Sequence, residues 1–400
     1  MHRTVLIAGG GIGGLASALA CARGGAVVSL FERRRAFEEF GAGIQLGPNA
    51  VRVLHEWGLR RALEAVAHEP PRLVVRDAAG GRQLGVLPLA ARARERYGAP
   101  YLTIARADLL QLLLEAVQRQ DQVALHLAQP VESYEEGRDS VELRFADGRC
   151  AHGALLLGAD GLWSRIRAHM LGDGPPRSSG HVAYRAMLPQ TALPAHLRRT
   201  GITVWLGPRL HVVEYPVHRG EWLNVVLVVE GSVAGDPQAW GEAVERGALL
   251  PIVGSISLPL RDLIEHITEW RSWSLFGRPP VAAAAQMARG RIALVGDAAH
   301  PTRPYLAQGA GMAIEDAHVL GEVLRLRSGS VEERLERYAA LRWRRCARIQ
   351  MQSARNGVIF HARGPMRWGR DASLRLLGER LLDQPWLYGY RAGIETEDDS

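Results

Sequence analysis

The hydrophobic pattern of this chain divides it into two kinds of layer. Thr4 to Ala8 is a β-branched and apolar run that reads as a strand. It stops at the glycine turn Gly9 to Gly14, after which Leu15 to Arg23 has the small residues of a closely packed helix. Ala26 to Phe31 is a second strand, so the chain opens on a βαβ unit with its glycines where strand meets helix. Two later apolar runs end in similar turns. Ala154 to Gly158 leads into Ala159-Asp160-Gly161, and Arg291 to Val295 leads into Gly296-Asp297-Ala298-Ala299-His300-Pro301. Gly41 to Asn49 reads as a loop, followed by a helix from Ala50 to about Trp57, and Arg106 opens a helix through Val117. Val141 to Phe145 is a further strand of this first layer.

The other layer has a different pattern. Arg72 to Pro100 alternates weakly and reads as strands that leave the first layer. His181 to Val229 is β-rich, with strands at Ile202 to Leu206, His211 to Val217 and Leu223 to Val229. It has no glycine turn of the first kind and reads as an antiparallel layer. The expected division is therefore discontinuous. Residues 1–72, 101–180 and 286–330 form one domain, residues 73–100 and 181–285 form a β-rich second domain, and 331–400 is a helical, arginine-rich end with an acidic tail, Glu395 to Ser400.

Composition narrows the class. An apolar share of 47% with 23% charged residues is that of a globular protein. No apolar run is long enough for a bilayer, and no cleavage site is evident after Met1 to Ile7, so a cytoplasmic protein without a membrane partner is expected. The net charge of +7 is carried by arginine alone, because the chain contains no lysine. Arginine suits phosphate and carboxylate recognition. The arginines are dispersed and no nucleic-acid motif accompanies them, so no nucleic-acid partner is expected. Cys21, Cys150 and Cys346 form neither a CxxC pair nor a zinc set and read as reduced core thiols; no metal site is expected.

The candidate chemistry starts at Gly9, Gly11 and Gly14, a GxGxxG turn that also contains Gly13. The first glycine permits the tight turn, the second lets a pyrophosphate approach, and the third lets helix pack on strand. Glu32 follows the second strand at the spacing where an acidic group meets a ribose hydroxyl, and Arg33 beside it can reach the adenylate phosphate. No second such turn follows a strand, so a nicotinamide cofactor has no Rossmann domain of its own here. The lack of a redox cysteine pair also argues against the two-dinucleotide disulfide-reductase architecture. His211 and Tyr215 share one face of a probable strand, while Glu214 between them points to the other.

The glycine turn, the segment Leu155 to Arg167 and the segment Gly296 to Ala317 together resemble the three signatures of single-component FAD-dependent aromatic hydroxylases. This group contains p-hydroxybenzoate, salicylate and 3-hydroxybenzoate hydroxylases and 6-hydroxynicotinate 3-monooxygenase. The resemblance covers nearly the whole chain; Gly41 to Asn49, Tyr184-Arg185-Ala186, Trp270 to Pro280 and Trp386 to Tyr390 are similar to salicylate-type members. It implies a p-hydroxybenzoate hydroxylase-like α/β fold: a Rossmann-like FAD-binding domain, a β-rich substrate domain and C-terminal helices. It also implies FAD as cofactor, with NADH or NADPH as a transient co-substrate.

By the same resemblance, Gly9, Gly11, Gly13 and Gly14 hold the FAD diphosphate, Glu32 binds the adenosine ribose and Arg106 contacts the flavin nucleotide. Asp160 serves FAD and NAD(P)H binding, and Asp297 meets the ribityl-phosphate region. Pro304, Gly309, Ala310, Gly311 and Met312 lie in the loop beside the isoalloxazine. For Asp160 and Asp297, turn capping is the alternative. His211 is implied as the base at the ring hydroxyl, with Tyr215 as its partner. The implied activity hydroxylates a phenolic or hydroxy-heteroaromatic carboxylate with O₂, through a flavin C4a-hydroperoxide, in a monomer or homodimer. The alternatives are a flavin hydroxylase or epoxidase of a neutral secondary metabolite, and a non-catalytic FAD-binding protein.

Overall fold

A computed structural model describes residues 4–37, 42–232 and 241–394. Gly41 and the tail Glu395 to Ser400 lie outside the described residues. The first layer is a six-stranded sheet in the order Ala288–Arg289, Ile292–Leu294, Leu155–Gly158, Thr4–Ala8, Val27–Phe31 and Val123–His126. Its four inner neighbours pair in parallel, Thr4 against Val27 and Val5 against Leu155. Such strands are covered on both faces and so read as continuous apolar runs. The helices Ile12–Arg23 and Gly309–Leu324 pack against each other on this sheet. Gly321 is needed there, since a Cβ would lie 3.0 Å from Ala20. Val141–Phe145 belongs instead to a three-stranded antiparallel sheet with Val131–Glu136 and Cys150–Gly153.

The second layer is an eight-stranded sheet. Its order is Glu242–Glu245, Glu269–Gly277, Arg177–Pro189, Trp222–Glu230, Leu210–Val217, Ile202–Gly207, Arg72–Asp77 and Gln83–Pro88. The expected antiparallel layer is present with one exception: Ile202–Gly207 runs parallel to Arg72–Asp77. Alternation divides the faces. Val212, Val225 and Leu227 pack under the helices Arg246–Val253 and Leu258–His266, which the strand-rich reading of 181–285 did not include. His211, Val213, Tyr215 and Val217 face the first layer.

Four local expectations are corrected. The loop assigned to 41–49 contains a strand, Gly43–Leu46, because its edge is completed by the distant Leu102–Ala105. The helix after it starts earlier, at Pro48, whose fixed φ suits a first helical position. Residues after Pro88 are helical over Ala90–Tyr97, where alanine, arginine and glutamate favour a helix. Cys150 is exposed on its edge strand, while Cys21 and Cys346 are core thiols as expected.

The chain beyond 331 is helical, led by Val331–Phe360, whose Ser330 and Glu333 form a reciprocal capping box. The end of the chain is tied back by arginines and rings. The Arg345 guanidinium lies 3.7 Å from the Tyr390 ring centre and Arg348 4.0 Å from that of Trp386, and Tyr388 packs edge-on against Tyr101. No helix among the described residues is long and apolar enough to cross a membrane.

Candidate active site

The strand Thr4–Ala8 ends at Gly9, whose φ of 106° puts it in the left-handed region that glycine favours. A Cβ on Gly14 would stand 1.9 Å from the Gly9 carbonyl oxygen, so this position holds helix against strand. Gly13 faces the helix Gly309–Leu324, near Ala313. Gly11 is the N-cap of Ile12–Arg23 and differs from the others: a Cβ there would meet nothing within 4 Å. The amides of the first helical turn thus open onto free space, which suits an anion. Glu32 stands across the turn. Its carboxylate accepts from the Gly10 amide at 2.6 Å and the Arg34 amide at 2.9 Å. Arg33 is exposed beside it.

The other two strand ends converge on the same edge. Asp160 accepts from the amides of Arg165 and Ile166 at 2.7 and 3.2 Å, so it caps the helix Arg165–Leu171. Burial pushes its carboxyl up, and Oδ1 has no partner among the described residues. Asp297 sits in the single turn Gly296–Ala298 with its side chain exposed. The protein around it raises its pKa, against the pull of Arg106 and His300. Arg106 begins the helix Arg106–Gln118 and donates its amide to Ala42 at 2.8 Å.

Pro304 is half-buried in the loop leading to the helix Gly309–Leu324. Met312 makes the first intrahelical bond there, to Gln308, so the amides of Gly309, Ala310 and Gly311 remain for a ligand. An ion network supports this end. Asp316 receives Arg342 Nε at 2.8 Å and His300 at 2.5 Å, and Glu315 receives Arg345 at 2.7 Å and Asn49 at 2.7 Å. Burial alone would raise Asp316; His300 and Arg342 bring it to about 2. His300, Asp316 and Cys346 are close enough to hold a metal ion, but the Arg342 guanidinium already supplies the cation between them.

Above the loop stands the inward face of the eight-stranded sheet. His211 is 2% exposed and shares a 2.8 Å hydrogen bond, Nδ1 to Nε2, with His361 at the end of the helix Val331–Phe360. Burial and the neighbouring His361 and His181 hold its pKa well below the usual range, so the ring is neutral. Tyr305 of the loop packs on it, ring centres 5.1 Å apart. Tyr215 is buried farther along the same strand, near Arg185 and Gln45, whose Oε1 accepts from the Tyr101 hydroxyl. His211 and Tyr215 therefore share a face but are not partners: four residues of extended chain separate them, and His361 takes the place expected for Tyr215. Glu214 points to the opposite face, as alternation requires, and accepts from Trp205 Nε1 at 3.0 Å and Arg199 Nε at 2.9 Å.

Three further side chains at or beside this wall had no role from sequence. Arg185 lies in strand Arg177–Pro189 with its guanidinium 3.8 Å from the Trp273 ring centre. Asn224 is a polar residue inside an apolar run, a usable signal, and it accepts from the Gly43 amide at 2.7 Å. His361 gave no signal, since it lies in an arginine-rich helical tail far from His211.

Asp297→Ala is expected to weaken FAD retention severalfold with the fold intact, since each lost hydrogen bond is worth about 1 kcal/mol. Flavin fluorescence titration of the refolded apoprotein measures this. Unchanged affinity and unchanged reduction rate would make Asp297 a turn residue only.

Comparison with known proteins identifies the family. Residues 2–353 match the family described as FAD binding domain. The 3-hydroxybenzoate 6-hydroxylase 1 of Aquipseudomonas alcaligenes is 39% identical over 365 residues, 91% of each chain. The 6-hydroxynicotinate 3-monooxygenase of Bordetella bronchiseptica is 34% identical over 326 residues, 80% of this chain and 82% of its own. Among solved structures, a salicylate hydroxylase substrate complex has a TM-score of 0.83 at 26% identity, covering 98% of this chain and 96% of that one. The chain is a member of the FAD-binding-domain family, among its FAD-dependent aromatic-ring monooxygenases.

Proposed function

We propose that the protein hydroxylates a small aromatic ring bearing both a hydroxyl and a carboxylate, of the hydroxybenzoate or hydroxynicotinate class. The observation that carries this is the sheet wall, which presents a cation, Arg185, and a neutral imidazole, His211, on one face, with Tyr305 of the loop packed on His211. The similar proteins of known activity are named for substrates of this kind. The residues present fit FAD: an open glycine cradle, a carboxylate beside it, and a helix N-terminus with amides to spare. When bound and reduced by NADH or NADPH, FAD supplies the activation of O₂.

The chain's own part is positional and acid–base. The Arg185 guanidinium, steadied on Trp273, forms a planar fork for the carboxylate. Nε2 of His211 meets the ring hydroxyl and accepts its proton, because Nδ1 is engaged by His361. The phenolate is the better nucleophile, so its formation favours attack by the ring. Ala183, Val226, Val228 and Leu275 form an apolar patch on the same wall that keeps water from the reacting atoms.

Anaerobic stopped-flow reduction by NADH and by NADPH tests this against hydroxybenzoates and hydroxynicotinates. A true substrate accelerates reduction and gives hydroxylated product in air. Equal response to neutral phenols would favour the neutral-metabolite reading. Arg185→Met is expected to raise KM for the carboxylate by about 10- to 100-fold, the worth of a charge-assisted contact, with a small effect on kcat. An unchanged KM would remove Arg185 from the carboxylate's site.

A further inference from the structure

We propose that His361 is the second member of a proton relay, carrying the substrate's hydroxyl proton from His211 toward solvent. The inference rests on the reading that His211 faces a ring hydroxyl.

The geometry is specific. The two imidazoles share one hydrogen bond at 2.8 Å between Nδ1 of His211 and Nε2 of His361. Both rings are buried, at 2% and 4% exposure. A single proton lies between the two nitrogens, and its position decides what His211 can do. If His361 donates, His211 keeps its own proton on Nε2 and is a donor toward the cavity. If His211 donates, its Nε2 is bare and accepts from the substrate.

A base at this position also needs an outlet. Burial first, then His361 and His181, disfavour a charged His211, so a proton placed on it does not stay. The relay avoids that charge. The substrate O–H bond breaks as an N–H bond forms at Nε2 of His211. In the same motion the proton on Nδ1 of His211 crosses to Nε2 of His361, and the proton on Nδ1 of His361 passes to an entering water molecule, which carries it out as hydronium. Both rings end neutral with their tautomers exchanged, and the net change is one phenolate formed and one proton released. The reverse passage, when the product's ring oxygen takes up a proton, resets them.

The surroundings suit an exit on the His361 side. Its Nδ1 is buried and has no hydrogen-bond partner among the described residues, so the last transfer is to a water molecule that enters beside it. The half-buried His181 stands edge-to-face to it, ring centres 4.8 Å apart, and shares a 3.1 Å hydrogen bond with the Tyr305 hydroxyl. The charged groups that bear on the pair come from several elements. Arg370, on the helix Gly364–Leu377, acts on His361, and Arg303 of the loop and Glu230 at a strand end act on His181. Burial comes first for His361 as well, with His181 and Arg370 lowering it further, to about 3. An exchange of tautomers between neutral rings is therefore favoured over a resting imidazolium.

Proton release tests the relay in the FAD-loaded enzyme. A pH-indicator dye in weakly buffered solution reports release on mixing with 3-hydroxybenzoate and with 6-hydroxynicotinate; benzoate is the control that has no hydroxyl. The wild-type enzyme should release about one proton with a hydroxylated ligand and none with benzoate. His361→Gln and His361→Ala should still bind FAD and ligand but release the proton at least ~10-fold more slowly, with added imidazole restoring His361→Ala. The wild-type rate in mixed H₂O and D₂O should curve as expected for more than one proton in flight, a measurement that needs no variant. Variants that release at the wild-type rate, or a linear isotope dependence, overturn the relay while hydroxylation of the ligands upholds the substrate reading. A wild-type enzyme that binds neither ligand overturns both.

Discussion

Gly11→Trp is expected to abolish FAD binding while leaving the protein folded. Gly11 has φ −73° and ψ −174°, a conformation open to any residue, and a Cβ there meets nothing within 4 Å. The backbone therefore tolerates a side chain, and the indole fills the space in front of the helix amides. Gly14 is the contrast. A Cβ there would lie 1.9 Å from the Gly9 oxygen, so Gly14→Ala should reduce the yield of folded protein itself. Purified wild-type protein should be yellow with one tightly held FAD, and Gly11→Trp colourless with an unchanged far-UV circular dichroism spectrum. A folded Gly11→Trp variant carrying a full complement of flavin would overturn the cradle assignment.

His211→Ala should slow hydroxylation by about 10²–10⁴-fold, the usual cost of losing a positioned acid or base. FAD should stay bound, since His211 belongs to the sheet wall and makes no contact with the glycine turn. The role of His211 is read from what happens to the reducing equivalents. As a base, its loss leaves a poor nucleophile in the site, so NADH is consumed with release of H₂O₂ even at saturating substrate. As a binding group only, its loss raises KM and saturation restores coupling. Tyr215→Phe keeps the ring, whose pocket is buried, and removes the hydroxyl that meets Gln45. Its effect should be smaller and should appear mainly in KM, because Tyr215 is not bonded to His211. Wild-type kcat, KM and coupling in His211→Ala would return the residue to a packing role.

The two predictions separate the halves of the molecule. The cradle belongs to the parallel sheet and fails by loss of cofactor; the wall belongs to the eight-stranded sheet and fails by loss of coupling. The short strand Gly43–Leu46 is held to the wall through Asn224 and pairs with Leu102–Ala105, whose Thr103 donates to the Pro216 carbonyl of the wall.

Most of the first half was legible along the chain because its chemistry is local. A glycine turn, the helix after it and the acidic residue ending the next strand lie within one βαβ unit, and their spacing carries the geometry. The strand ends at Asp160 and Asp297 were found the same way, from apolar runs stopping at small-residue turns. Asp160 shows the limit of this reading, since a turn aspartate and a helix cap look alike until the amides of Arg165 and Ile166 are placed.

The family was legible from the resemblance of three ordered motifs, and the glycine turn and the same-face placement of His211 and Tyr215 were determined by the sequence alone, since turn chemistry and a two-residue period act over a few residues. Tertiary structure decided the partners. His211 meets His361, Tyr215 meets Gln45, Arg185 meets Trp273, and the Gly43–Leu46 segment becomes a strand only when Leu102–Ala105 lies beside it. Each of these joins segments far apart in sequence. Which side chains meet across such distances is settled by how the layers pack, and no local pattern of apolar and polar residues encodes it.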